Sequence, residues 1–251
     1  MVKGLDIFKQ YFAEYSEQYV LIGGTACNLL LEDAGVPARV TKDLDVVLIV
    51  EALTPEFGRA FWQFIQEGQY ENRAKSNSSP QFFRFDKPKT NGFPFMIEMF
   101  SRTKIVLSSM EQSGLVPLHV DDEISSLSAI LLNEAYYQML VAGRKVTENV
   151  VILAPEYLIL FKAKAWLELS ERKLLGQHVD SHDIKKHKND IIRLATILTG
   201  KEQCNLPETV KIDMRNFINR LREEELDFKA LQVSGFTKKI LLDLFWKLYI
   251  E

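Results

Sequence analysis

Cysteine is almost missing from this sequence: its 251 residues hold only Cys27 and Cys204, far apart and with no Cys-x-x-Cys partner. That excludes a disulfide framework and a thiolate zinc site, and it leaves both thiols as packing residues. Long apolar runs are missing too. No stretch approaches the ~20 apolar residues of a membrane-spanning helix, and Met1-Val2-Lys3-Gly4-Leu5-Asp6 opens no signal-peptide core. The expectation is a cytoplasmic protein without membrane contact. An excess of positive charge is also absent, since 31 Lys and Arg face 34 Asp and Glu for a formal net charge of -3. Any nucleic-acid contact must therefore be focal rather than spread over the whole surface. The spacing of His178, His182 and His187 matches no recognised zinc set.

What the chain does have is material for a core. With 47% hydrophobic residues it can fill one large domain or two modest ones. Apolar periodicity predicts a helix from Leu5 to Ser16, a short strand Tyr19 to Ile22 ending on Gly23-Gly24, and a helix from about Ala26 to Glu32 with Thr25 as its N-cap. Gly35-Val36-Pro37 stops that helix. Lys42 to Val50 reads as a strand buried on both faces, and Thr54-Pro55-Glu56 opens a helix carrying Phe57, Phe61, Trp62, Phe64 and Ile65. A polar stretch, Glu71 to Ser79, leads into a hairpin of Phe82 to Phe85 and Phe93 to Phe100. Short strands at Ile105 to Leu107 and Leu115 to Val120 precede a helical pattern from Ser125 to Ala142, where the β-rich part ends. From Pro155 the pattern is helical: Glu156 to Lys173, His182 to Thr199, Pro207 to Glu225 and Thr237 to Glu251. The fold class is α+β, a mixed-sheet domain over 1–150 with flanking helices, followed by a helical domain over 151–251.

Three features carry chemistry. Asp43 and Asp45 stand two apart on a strand, so both carboxylates project to one side while Leu44 and Val46 pack behind them. Such a pair beside apolar residues calls for a counter-cation, and hard divalent ions choose carboxylate oxygen. Gly23-Gly24 follows a strand and opens a helix, where backbone can approach a phosphate and free N–H groups face it, with Thr25 adding a hydroxyl. Glu98 interrupts the apolar strand Phe93-Pro94-Phe95-Met96-Ile97-Glu98-Met99-Phe100, either as an edge residue facing water or as a third metal ligand or base.

Leu21-Ile22-Gly23-Gly24-Thr25-Ala26 followed by Arg39-Val40-Thr41-Lys42-Asp43-Leu44-Asp45 resembles the AbiEii-type nucleotidyltransferases, the toxin half of bacterial abortive-infection and toxin–antitoxin pairs within the DNA polymerase β-like superfamily. The resemblance implies a nucleotidyltransferase-type sheet domain, a glycine turn that holds an NTP triphosphate, and Mg2+ or Mn2+ bound by Asp43 and Asp45, with Glu98 as the third acid. It extends to Ala154-Pro155-Glu156-Tyr157-Leu158-Ile159-Leu160-Phe161-Lys162-Ala163-Lys164-Ala165, similar to the family's helix with a functional lysine, for which Lys162 is the match. It also extends to Lys185-Lys186-His187-Lys188-Asn189-Asp190, where Asp190 matches a lysine-partnering acid and Asn189 stands where many relatives carry Asp. By the resemblance the acceptor is an RNA end such as a tRNA 3′ end, or a protein hydroxyl, and a cognate antitoxin is a partner.

Read from the residues alone, Lys162 and Lys164 lie on a largely apolar helix, where either one is drawn inward or both stems snorkel to water. The run Lys185, Lys186 and Lys188 is either a solvated face or a guide for phosphate or RNA. Rival readings are an antibiotic-modifying nucleotidyltransferase with the same acids, and a noncatalytic nucleotide- or antitoxin-binding module.

Overall fold

Tyr19-Val20-Leu21-Ile22 is buried along its whole length because, as strand β1, it is bonded on both sides: antiparallel to β2 (Asp43–Leu48) and parallel to β8 (Val150–Leu153). The computed structural model describes residues 2–39, 41–74, 81–101, 116–117, 130–131 and 133–251. Among these, β3 (Glu71–Ala74), β4 (Gln81–Asp86), β5 (Met96–Ser101), β6 (Val116–Pro117) and β7 (Arg144–Thr147) complete one mixed sheet in the order β6-β3-β4-β5-β2-β1-β8-β7. The predicted hairpin forms, with β4 antiparallel to β5 and β5 parallel to β2.

Alternation along the strands sends Tyr19, Val46 and Phe85 to one face, where helices α1 (Leu5–Phe12) and α3 (Pro55–Gly68) cover them. The cover is aromatic: Phe8 meets the Tyr19 ring at 5.3 Å, Phe12 meets Phe64 at 5.5 Å, and Phe61 meets Phe85 at 5.4 Å, mostly in edge-on geometry. Thr54 caps α3 by accepting from the Phe57 amide at 3.3 Å, with Pro55 in the first turn as the sequence predicts.

The structure corrects three expectations. Helix α2 runs Gly23–Asp33, starting directly on the glycine pair, so Thr25 lies inside its first turn and does not cap it. The polar Glu71–Ala74 is a strand, because β4 supplies it with backbone partners that local composition does not reveal. β structure also returns at Arg144–Leu153, where β7 and β8 join through Glu148 and Asn149, both at positive φ (46° and 64°). Two consecutive positive φ values make the tight hairpin turn usually signalled by Asn-Gly, and here neither residue is glycine. The expected strand at Ile105 to Leu107 and the start of the helical pattern at Ser125 lie outside the described residues.

The chain divides into two compact units, one formed by 1–29, 38–120 and 144–153 and the other by 30–37, 121–143 and 154–251. The first carries the sheet. The second carries α4 (Glu134–Ala142), α5 (Pro155–Leu174), α6 (Ser181–Ala195), α7 (Glu208–Glu223) and α8 (Lys238–Tyr249). Its core is a line of rings: Trp166 edge-on to Phe217 at 5.4 Å, Phe217 to Phe245 at 6.2 Å, and Phe245 to Tyr249 at 5.9 Å. Tyr249 donates its hydroxyl to the Glu156 carbonyl at 2.8 Å, tying α8 to the start of α5.

Candidate active site

Register brings the acids of the sheet together. Asp45 lies opposite Ile22 on one side and Glu98 on the other, and Glu98 lies opposite Arg84. Directly paired residues point to the same face, so Ile22, Asp45, Glu98 and Arg84 form a row across four adjacent strands, with Asp43 one step along the same face.

The head of that row explains the glycines. Gly23 has φ +65° and turns the chain from β1 straight into α2, and a Cβ built on it would fall 1.6 Å from Asp45 Oδ2. Any side chain there would collide with the carboxylate, so glycine is required by contact as well as by conformation. A Cβ on Gly24 would come within 2.8 Å of Arg39 Nη2 and of Thr41 Oγ1, which packs the turn against the segment leading into β2. Thr25 is fully buried and donates its hydroxyl to the Asp43 carbonyl at 2.7 Å, so it sets the spacing of helix and strand.

Glu98 is 8% exposed. Arg84 donates Nε and Nη2 to its Oε1 at 2.9 and 2.6 Å. Burial pushes the Glu98 carboxyl well above the usual carboxylate range, the charge of Asp45 pushes the same way, and Arg84 offsets this only in part. Asp45 and Glu98 thus crowd two carboxylates onto one row, and Glu98 holds its proton more tightly than a free carboxyl does.

Arg84 is the member of this row that sequence reasoning passed over. Its signal was present as a cation inside Phe82-Phe83-Arg84-Phe85, the mirror of an acid inside an apolar strand, but only the β4–β5 register joins the two.

In the helical unit Lys162 and Asp190 come together. Lys162 Nζ donates to Asp190 Oδ2 at 2.7 Å, with the side chains 4% and 1% exposed. Lys164, on the other side of α5, donates to Asp213 at 3.1 Å, and Asp213 also accepts from the Tyr136 hydroxyl at 3.0 Å. Neither lysine snorkels freely to water. The predicted site residues thus fall into two groups: Gly23, Gly24, Thr25, Asp43, Asp45 and Glu98 in the sheet unit, and Lys162 with Asp190 in the helical unit.

No protein-family model matches the chain, and no curated protein matches it. Among solved structures it is similar to an antigenic nucleotidyltransferase-like protein from Paracoccidioides brasiliensis, at 15% identity over 92% of this chain and 93% of that one, with a TM-score of 0.43. It is also similar to the Megavirus polyadenylate synthase, at 8% identity and a TM-score of 0.36; 94% of this chain spans 51% of that one, about half its length. No helix among the described residues is long and apolar enough to cross a membrane.

Proposed function

We propose that this chain transfers a nucleoside monophosphate from an NTP to an acceptor hydroxyl with a divalent cation. The observation that carries the reading is the contact of Gly23 with Asp45 at the head of α2. There a helix N-terminus and a row of carboxylates share one corner, the two things a metal-bound triphosphate needs.

The donor set fits a hard divalent ion such as Mg2+, with carboxylate oxygens from Asp43 and Asp45 on one face and Glu98 beside them. Among the described residues no three His, Cys, Asp or Glu side chains converge as a ready metal cluster. Asp43 and Asp45 would therefore hold the ion, and Glu98, half engaged by Arg84, would add its charge. When bound, the ion neutralises phosphate charge and polarises the phosphoryl group under attack. Gly23 and Gly24 let the β and γ phosphates approach the α2 amides, and Arg84 keeps Glu98 from swinging free.

Motif resemblance adds finer detail: an RNA end or a protein hydroxyl as acceptor, a toxin role with a cognate antitoxin, and Lys162, oriented by Asp190, as a cation for the transferring group. The test is incubation with each labelled NTP, Mg2+ and total tRNA, with product size read on a gel and Asp45→Asn in parallel. Labelled product from wild type and none from Asp45→Asn supports the reading; no product with any NTP and acceptor sinks it. One observation favours a second reading. Arg84 already supplies Glu98 with a cation, as in a noncatalytic nucleotide-binding module, which would bind NTP in this assay without transferring it.

A further inference from the structure

The helical unit contains a groove of about 1400 Å³ bounded by α5, α6, the end of α7 and the loop that follows it. Six cations and four carboxylates line it, a positive balance in a chain whose net charge is -3. Two of those cations are already used to build the groove. Lys188 is paired with Glu224, and Lys238 donates to the carbonyls of Arg222 and Glu224, which fixes the loop after α7. Lys173, Lys185, Arg193 and Arg220 have no carboxylate partner among the described residues. Lys173 donates to Ser181 Oγ in the first turn of α6, which keeps its ammonium at the groove wall.

The floor points to a ligand as well. Trp166 is 2% exposed, lines the groove, and its buried indole N–H finds no acceptor; the buried Nε–H of Arg193 finds none either. A buried donor without an acceptor is costly, so these two N–H groups, one on α5 and one on α6, mark where an acceptor oxygen would be stabilised. Arg220 lies over the Trp166 ring at 5.1 Å, a planar cation on an aromatic face of the kind on which bases stack. The volume exceeds the roughly 300–1,000 Å³ of small-molecule sites, which leaves room for more than one nucleotide.

We infer that this groove binds a single-stranded polynucleotide, with backbone phosphates on Lys173, Lys185 and Arg193 and bases toward the Trp166–Arg220 stack. The inference rests on the transfer reading only for the use made of the strand, as the acceptor; binding itself is independent of transfer.

The test is fluorescence anisotropy of labelled 12-nucleotide RNA and DNA strands with the full chain over a salt series. Lys173 and Lys185 are both exposed, so Lys173→Glu/Lys185→Glu should fold normally. It is expected to weaken binding at least tenfold and to reduce the log–log salt slope by about 1.4, for two lost phosphate contacts on a single strand. Lys3→Glu/Lys145→Glu, the same charge change on exposed lysines of the sheet unit, should bind like wild type. Stronger binding of the RNA or of the DNA arm identifies the kind of strand. Failure of wild type to bind either strand, equal loss in both double variants, or displacement of the strand by micromolar AMP would overturn the inference. Asp45→Asn should keep strand binding and Lys173→Glu/Lys185→Glu should keep the Mg2+·NTP thermal shift, so failure of the groove and failure of the transfer site are told apart.

Discussion

Each unit buries an ion pair, and the two pairs are built differently. Lys162 and Asp190 meet at 2.7 Å with almost no exposure, in the packing between α5 and α6. Arg84 and Glu98 meet at 2.6 Å on the sheet, but Asp45 stands beside them and the Glu98 carboxyl stays raised in spite of the guanidinium. A pair between two helices can close on itself. The row of acids on the strands crowds charge against a glycine turn that leaves no room for a side chain. Burial of a charge pair is by itself a poor pointer to chemistry, and crowding of like charges at a helix N-terminus is a better one.

The largest difference between the two regions should appear on Asp45→Asn. The amide keeps the size of the side chain and removes one ligand charge, so transfer should fall by more than ~10²-fold. The melting temperature should hold or rise because a crowded acid is gone. Normal transfer by this variant would put the chemistry elsewhere.

Next in size is Lys162→Ala, which removes the cation beside the buried Asp190 carboxylate and should cost about 3–5 kcal/mol in urea unfolding. Lys162→Met/Asp190→Leu should recover most of that loss. Lys164→Ala should cost about 1 kcal/mol or less, since Lys164 is 24% exposed and its pairs are partly screened. Equal losses for the two single variants would mean that α5 does not separate the lysines as described. If the double variant recovers its stability and keeps full transfer, Lys162 has only a structural role.

Third, Mg2+ with NTP should raise the melting temperature by several degrees and NTP with EDTA should not, because bound ligand stabilises only the state that holds it. Glu98→Gln should reduce the shift and Lys164→Ala should leave it unchanged. A shift that survives EDTA would favour the noncatalytic reading.

The smallest expected effect is on pH dependence in EDTA. The folded Glu98 carboxyl lies above its unfolded value of 4.5, so the folded state holds the proton more tightly. Its contribution to stability is complete below about pH 4.5 and is lost as pH rises through the raised folded value. Urea stability should thus decline more steeply toward alkaline pH in wild type than in Glu98→Gln. Parallel curves would mean that Glu98 is not perturbed.

The residues themselves made much of this arrangement legible. Gly23-Gly24 announced a tight strand-to-helix turn, the two-residue spacing of Asp43 and Asp45 put both on one face, and Thr54-Pro55 marked the start of α3. Helices α5 to α8 were readable from their period to within a few residues. Local features of this kind follow from covalent spacing and dihedral preference, which a short window contains. Glu71–Ala74 has the polar composition of a loop, and β4 supplies the hydrogen bonds that make it a strand, whereas the short run Val150-Val151-Ile152-Leu153 carries a strand signal that the expected end of the β-rich part near Ala142 passes over.

By itself the sequence determined which chemical groups exist and which of them share a face: the carboxylates, the glycine turn, and two lysines on opposite sides of one helix. Only the tertiary structure decided who faces whom. That Arg84 lies opposite Glu98, that Glu98 lies opposite Asp45, and that Asp45 fills the space a Gly23 side chain would take are consequences of strand register. Register is set by burying the whole apolar face of the sheet under α1 and α3, because a slip of one residue would turn every buried side chain toward water. No short stretch of sequence contains that constraint, since it is shared among residues from Phe8 to Phe100.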